Sequence, residues 1–339
     1  MQALILAGGK GTRLRPITLH VPKPVVPIVN RPFIRYQLDL LRPINPNAGL
    51  SVILSLSYQP RKIEEALNDE TPAGVEITTA VEATPLGTAG AIKNVADRIH
   101  GTLIVFNGDV LTDLDLRSVV ARHRRRGAAA TLVLIEVADT RAYGVVECDD
   151  NGRIRRFFEK PAPGVTACRT VNAGIYILEP EVLSLIPAGT PFSFEYELFP
   201  KLLESGLPLY GETTASYWLD IGTPARYLQA NLDVLGGKVQ RFPPDARPEL
   251  TPDGALVAPS ATVKAGAEIV RSVVGPNCVI DEGCRITDSV ILSGARIREG
   301  ARLHRSVIGR GAHIGDRVTL TEAIIGDKST LTDFSTNLT

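Results

Sequence analysis

At 339 residues, with 37 Lys and Arg against 37 Asp and Glu, the chain is long enough for two domains and carries no formal net charge. That balance excludes the strong positive field of a nucleic-acid or anionic-membrane binder, so neither partner is expected. Four cysteines without a paired framework, no long apolar run and no signal-like start point to a soluble cytoplasmic protein.

The first predicted strand, residues 3–7, runs into Leu6-Ala7-Gly8-Gly9-Lys10-Gly11-Thr12-Arg13-Leu14-Arg15-Pro16. Glycines let a backbone approach a ligand closely, successive N–H groups make an anion-binding concavity, and arginines bind phosphate in a bidentate fashion. The run reads as a loop for a nucleoside triphosphate. It is neither a P-loop, which needs Gly-Lys-Ser/Thr at its end, nor a dinucleotide fingerprint, because Leu14 stands where the third glycine belongs. Lys23 follows in Val21-Pro22-Lys23-Pro24, where the flanking prolines stiffen the backbone that places one cation.

A helix is predicted over 33–41, a strand over 51–57, a helix over 61–68 and a strand over 75–81. Glu82 ends that strand, ahead of Pro85-Leu86-Gly87-Thr88-Ala89-Gly90. An ionised Glu only accepts hydrogen bonds. Guanine offers N1–H and its 2-amino group side by side, whereas uracil and thymine offer one N–H between two carbonyls. Glu82 therefore reads either as a guanine-binding carboxylate or as an ordinary strand-end charge. The next strand, 102–107, delivers Asp109 through Asn107-Gly108, at the sheet edge where α/β proteins bind ligands.

A helix over 116–126 ends in Arg124-Arg125-Arg126, expected to be solvated, and a strand over 131–137 follows. Asp150-Asn151-Gly152 predicts a hairpin turn between strands 145–148 and 154–158. Glu159-Lys160-Pro161 ends that hairpin, either as a solvated ion pair or as a carboxylate for sugar hydroxyls beside a cation for phosphate. Asn172-Ala173-Gly174 and Tyr217-Trp218-Leu219-Asp220-Ile221-Gly222 follow, and Thr223-Pro224 reads as the cap and first turn of a helix to about 235. This rhythm predicts an α/β, Rossmann-like domain with a mostly parallel sheet over 1–235.

Glycines and prolines mark a linker over 236–255. From 256 the sequence repeats every 17 residues: Val273, Val290, Val307 and Ile324 form one aliphatic series, Ile280, Ile297, Ile314 and Leu331 a second, and Ile269, Ile286, Leu303 and Leu320 a third. Internal spacings of six, six and five predict a left-handed parallel β-helix of hexapeptide type over 256–331, with a tail over 332–339. Cys278 and Cys284 fall in small-residue slots of the repeat and read as core thiols; Cys148 and Cys168 have no zinc-ligand spacing. His304 and His313 lie inside coils that carry no long inserted loop, which argues against a histidine-based acyltransferase.

In their order, the 6–16 loop, 21–24, 85–90, 107–109, 158–161, 172–177 and 217–224 resemble the motifs of the sugar-1-phosphate nucleotidylyltransferases. The proline-rich run 42–47 departs from the usual pattern, away from any motif. The resemblance implies transfer of a nucleotidyl group from an NTP to a sugar-1-phosphate with release of pyrophosphate. Within the family the chain is most similar to members that use GTP and mannose-1-phosphate. It implies nucleotide contacts from Leu6, Ala7, Gly8, Gly9, Gly11, Thr12, Arg13, Glu82, Pro85, Gly87 and Thr88. Sugar-phosphate contacts are implied for Gly144, Glu159, Lys160, Asn172 and Asp220. Arg13, Lys23, Asp109 and Asp220 are the expected catalytic set, with Asp109 and Asp220 holding Mg2+. The nucleophilic phosphate has its second pKa near about 6 and needs no general base, consistent with motifs rich in cations and carboxylates. Thymidylyl, uridylyl or adenylyl transfer to glucose-1-phosphate, and a non-catalytic regulatory relative, are the alternatives. Self-association through the β-helix is expected.

Overall fold

Short apolar runs and amphipathic segments become strands and helices in the computed structural model, which describes residues 1–44, 49–68, 74–162, 164–241 and 248–337. Parts of the 42–47 run, of the 236–255 linker and of the 332–339 tail therefore lie outside the described residues. The chain divides into two units, Met1–Gly9 with Tyr36–Trp218, and Lys10–Arg35 with Leu219–Thr339.

The first unit is built on one sheet. Its strands are β1 (Gln2–Leu6), β2 (Leu50–Leu56), β3 (Val75–Val81), β4 (Leu103–Asn107), β5 (Ala130–Glu136), β6 (Gly144–Cys148), β7 (Ile154–Glu159), β8 (Thr170–Leu178) and β9 (Leu209–Thr214). Order across the main path is β7-β6-β8-β4-β1-β2-β3, with β5 on β8 and β9 on β5. Pairing is parallel through β4-β1-β2-β3 and between β9 and β5. It is antiparallel wherever β8 or the β6–β7 hairpin takes part. The sheet is thus mixed, because the long β8 and the predicted hairpin enter against the direction of the nucleotide-type half. Buried aliphatics from one face of these strands, at alternate positions, form a core with Tyr176, Phe194 and Phe199.

Helices α1 (Ile34–Leu41), α2 (Pro60–Asn68), α3 (Gly87–Lys93), α4 (Leu116–Arg125) and α5 (Phe199–Ser205) connect the strands. The Asp115 carboxylate caps α4, accepting from Ser118 N at 3.4 Å, and a basic last turn suits the helix dipole. Arg124 and Arg125 are solvated as expected. Arg126 differs: it donates to Glu212 Oε2 at 3.3 Å, a second cation beside Arg122, whose Nε lies 2.7 Å from the other oxygen of that largely buried carboxylate.

In the second unit, α6 (Pro224–Leu235) starts at Thr223, whose hydroxyl accepts from Arg226 N at 3.3 Å. Residues 256–331 form three parallel sheets of five, five and four strands, the stacked coils of a left-handed β-helix. The register advances by one repeat per coil, Leu256 to Val273 to Val290 to Val307 to Ile324. Cys278 and Cys284 are buried in the column with Ile280, Ile286, Ile297 and Leu303, and burial raises both thiol pKa values. Serine hydroxyls 272, 289 and 306 accept from the amides of 289, 306 and 323 at 3.0–3.1 Å, satisfying buried corners. The segment 10–35 joins this unit through such contacts as Asn30 Nδ2 to Val274 O at 3.0 Å.

Candidate active site

In the first unit the C-terminal ends of the four parallel strands carry the sequence motifs. Leu6 is in register with Ser55 on β2 and with Asn107 on β4. The strand order reverses direction at β1, so the crevice where α/β sheets bind ligands opens between the loops after β1 and β4. Gly108 N donates to Leu6 O at 3.0 Å, and a Cβ at Gly108 would lie 2.3 Å from that oxygen. Glycine is obligatory there, and this contact sets Asp109 beside the start of the glycine loop. Gly8 is clamped by Ser57 Oγ, which donates to Gly8 O at 2.6 Å and would stand 2.8 Å from a Gly8 Cβ. A Cβ at Gly9 would meet nothing within 4 Å, so packing gives no reason for a glycine at that position.

Glu82 ends β3 with both oxygens engaged. Ser55 Oγ donates to Oε1 at 2.6 Å and Leu86 N donates to Oε2 at 3.0 Å. One lone pair on each oxygen is left over. The 85–90 loop and the start of α3 are fastened to residues 192–194. Ala89 N and Gly90 N donate to Phe192 O, Phe192 N donates to Leu86 O, and Phe194 N donates to Thr88 Oγ1 at 2.9 Å.

On β6 and β7, Gly144 and Glu159 are cross-strand partners. A Cβ at Gly144 would stand 2.8 Å from Glu159 Oε2, so the glycine clears room for that carboxylate. Lys160 has φ of 47°, and its Nζ lies 3.3 Å from Glu159 Oε1. The lysine side chain is 58 % exposed and the glutamate 13 %; a pair so exposed on one side contributes about 0–1 kcal/mol. Stability therefore does not explain the pair. Asn172 donates to Tyr176 Oη at 2.8 Å and accepts from Gly174 N at 3.0 Å, across a bulge in β8. Tyr143 and Trp218 meet edge to face at 5.5 Å, and Trp218 Nε1 donates to Ala173 O.

Glu195 was not found by sequence reasoning. It lies in a π-helical turn, Phe194–Leu198, a geometry common at functional sites. Its carboxyl pKa is raised, chiefly by burial; a hydrogen bond from its own backbone opposes this, the nearby Glu159 charge adds to it, and Lys160 and the Thr88 hydroxyl oppose it. Tyr176 is held well above the ordinary phenol range by burial first and by the Glu195 charge next, with Asp109 a smaller contributor. Thr88, Glu159 and Lys160 thus act on the Glu195 carboxyl, and Glu195 and Asp109 on the Tyr176 phenol. The available signal was Ser193, a helix cap whose hydroxyl accepts from Tyr196 N at 2.9 Å; Ser193 N donates to Glu197 Oε2 at 2.6 Å, four residues on and so outside the usual capping-box spacing.

The second unit holds the other cations. Thr12 and Arg13 lie in a 3-10 turn anchored by buried Leu14, Ile17 and Thr18. Gly11 has φ of 60°, and its Cβ position would be 3.2 Å from Lys23 Cβ, so Gly11 and Lys23 are neighbours. A Cβ at Gly222 would stand 3.1 Å from Asp220 Oδ2 and 3.4 Å from Arg13 Nη2. Asp220 Oδ1 pairs with Arg226, another residue absent from the sequence reading. The Asp220 carboxylate is therefore paired with Arg226, while the Gly222 backbone has that carboxylate and the Arg13 guanidinium both close to it. Among the described residues, no group of three or more His, Cys, Asp and Glu side chains converges as a metal cage.

Residues 2–236 match the nucleotidyl transferase family and residues 252–336 match the GMPPB C-terminal domain family. The chain belongs to the nucleotidyl transferase family. It is 40% identical over 278 residues to a mannose-1-phosphate guanylyltransferase of Mycobacterium tuberculosis, a match covering 80% of this chain and 75% of that one. It is 39% identical over 254 residues to a UTP–glucose-1-phosphate uridylyltransferase of Synechocystis, covering 71% and 65%. A mannose-1-phosphate guanylyltransferase catalytic subunit beta of Drosophila pseudoobscura pseudoobscura is 38% identical over 275 residues, covering 79% and 72%. Among solved structures, HddC from Yersinia pseudotuberculosis superposes with a TM-score of 0.57 at 33% identity, covering 68% of this chain and 97% of that one. The same protein complexed with GMP-PN gives 0.56.

Proposed function

We propose that this nucleotidyl transferase moves a guanylyl group from GTP to mannose-1-phosphate, releasing pyrophosphate. Overall similarity does not choose the base, since a guanylyltransferase and a uridylyltransferase match at 40% and 39% identity. The observation that carries the choice is Glu82. It is an acceptor-only group at the end of β3, oriented by Ser55 and Leu86, with one lone pair on each oxygen for the two adjacent donors of guanine.

Two phosphate groups must meet for this reaction. Unit charges about 4 Å apart repel by about 4 kcal/mol at an effective dielectric of about 20, so several pairs together would prevent encounter. Arg13 and Lys23 are assigned to the triphosphate and Lys160 to the sugar phosphate. Leu6, Ala7, Gly8, Gly9, Gly11 and Thr12 supply the backbone of the phosphate loop, and Pro85, Gly87 and Thr88 the second edge of the nucleotide site. Glu159, Gly144, Asn172 and Asp220 are assigned to the sugar. The mannose-1-phosphate oxygen attacks the α-phosphorus and pyrophosphate leaves; the phosphate is already ionised, so no base is required.

The carboxylates of Asp109 and Asp220 are hard oxygen donors, the class that Mg2+ takes, and that ion fills its remaining positions with phosphate oxygens and water. These two residues would hold it, and its charge would offset that of the triphosphate. The open coil edges of the β-helix, with Val263 and Phe334 exposed, support self-association. No described helix is long and apolar enough to cross a membrane, and the cytoplasm is the compartment proposed.

Pyrophosphate release tests the reading. GTP, ATP, UTP and dTTP are each paired with mannose-1-phosphate and glucose-1-phosphate. GTP with mannose-1-phosphate is expected to give the highest kcat/KM; a higher value with UTP or dTTP would contradict the assignment.

A further inference from the structure

One slot of the 17-residue repeat breaks its own pattern. The first three coils place Pro259, Pro276 and Ser293 there, whereas the last two place Arg310 and Asp327. Stacking of the coils does not demand charge at that position, because three coils do without it. Yet the pair is mutually engaged and mostly buried: Arg310 N donates to Asp327 Oδ1 at 2.8 Å, Arg310 Nη1 lies 3.4 Å from Asp327 Oδ2, and the Asp327 side chain is only 4 % exposed.

What the pair touches lies far away in sequence. Arg310 Nη1 donates to Ile17 O at 3.4 Å. One residue before Asp327, a Cβ at Gly326 would stand 3.4 Å from Pro16 Cβ, so the coil presents a bare backbone to the loop. Tyr227 of α6 is fully buried beside the same two charges, and its hydroxyl donates to Pro27 O at 2.5 Å. On α6 as well, Asn231 Oδ1 accepts from Val29 N at 2.8 Å. The 11–19 loop, which carries Thr12 and Arg13, is therefore tied from outside itself at Pro16 and Ile17 by the last two coils.

We propose that the coil turns at 309–310 and 326–327 brace the 11–19 loop, and that Arg310 is a positioning residue that sets the loop's affinity for the nucleotide's phosphates. The phosphate part rests on the function proposed above. Arg310 acts through the Ile17 carbonyl: fixing that turn in advance removes ordering cost from nucleotide binding.

The test compares the full-length wild type with Arg310→Ala, Arg310→Lys and Asp327→Asn. Amide hydrogen exchange over 11–19 reports the brace without reference to activity, because Leu14, Arg15, Ile17 and Leu19 amides are hydrogen-bonded within that turn. Arg310→Ala is expected to speed exchange there by about tenfold while exchange in residues 273–297 is unchanged. KM for GTP should rise about five- to tenfold, the scale of one lost hydrogen bond of ordinary net strength, with KM for mannose-1-phosphate unchanged. Arg310→Lys should recover most of both effects, and Asp327→Asn, which keeps the shape, should show them in weaker form. Unaltered exchange over 11–19, or equal rises in both KM values, would overturn the proposal. If the wild type turns over no pair of NTP and sugar phosphate, the function assignment fails instead. Exchange and equilibrium binding of GTP then decide the brace, and both must change in Arg310→Ala for it to stand.

Discussion

Glu82 and Glu195 are two carboxylates whose surroundings make opposite demands. Glu82 is held by one hydroxyl and one amide, and its remaining acceptor capacity is the basis for guanine selection. Replacing it by Gln turns half of that edge into a donor. Glu82→Gln is expected to lower the ratio of kcat/KM for GTP to that for UTP by about 10- to 100-fold, the scale of a hydrogen bond to a charged group; an unchanged ratio would remove Glu82 from base recognition. Glu195 is largely withdrawn from water and feels the Glu159 charge, and its carboxyl pKa is raised. A raised carboxyl pKa means that ionisation costs folding free energy at neutral pH, a cost absent below the ordinary carboxylate range, where folded and unfolded states are both protonated. Glu195→Gln should therefore raise Tm at neutral pH, with the gain shrinking to nothing as pH falls toward 4. Thermal melts across that pH range check the sign, and a gain that grows on acidification would contradict it. Lys23, Asp109 and Lys160 stand out in the sequence because each sits in a local pattern. Glu195 and Arg226 do not, since what makes them notable is a partner brought by the fold: Glu159 for one, Asp220 for the other.

At the scale of elements, the glycine loop separates packing from function. Gly8 is demanded by Ser57, whereas Gly9 faces open space. Gly8→Ala is expected to lower Tm by several degrees, since a Cβ 2.8 Å from Ser57 Oγ would have to push that residue away, with a cost of about 1–3 kcal/mol. Gly9→Ala should leave Tm within a degree and raise KM for the nucleotide at least tenfold. Melting curves with steady-state kinetics distinguish them; equal KM for Gly9→Ala and wild type would mean that no ligand approaches there. In the β-helix, Ile286→Ala removes a fully buried side chain from the column and should cost about 2–5 kcal/mol in chemical denaturation. The strands 75–81 and 103–107 and the coil register were legible because each rests on local apolar periodicity. The antiparallel entry of β8 was not, because a run of residues does not reveal which neighbour it will join. The π-helical turn at Phe194–Leu198 was hidden for a similar reason: its backbone is held by Thr88, more than a hundred positions away.

For the whole molecule, the sequence motifs fall into two sets. Asp109, Glu159, Lys160 and Glu82 belong to the unit with the sheet, and Arg13, Lys23 and Asp220 to the unit with the β-helix. The 17-residue repeat made the second architecture legible, but the union of 10–35 with the coils rests on single long-range contacts, Asn30 to Val274 and Arg310 to Ile17, that no periodicity announces. The chemistry proposed for the assembled chain needs no covalent enzyme intermediate and no base, only two phosphates brought together against their repulsion. Isotope tracing tests most directly which bond forms when the two phosphates meet. Mannose-1-phosphate carrying 18O in its three non-bridging positions is turned over with unlabelled GTP, and the products are read by 31P NMR. Attack by the sugar phosphate on the α-phosphorus puts one label in the α–β bridge of GDP-mannose, two on its β-phosphorus and none in pyrophosphate. Label in pyrophosphate, or consumption of GTP without formation of GDP-mannose, would contradict it.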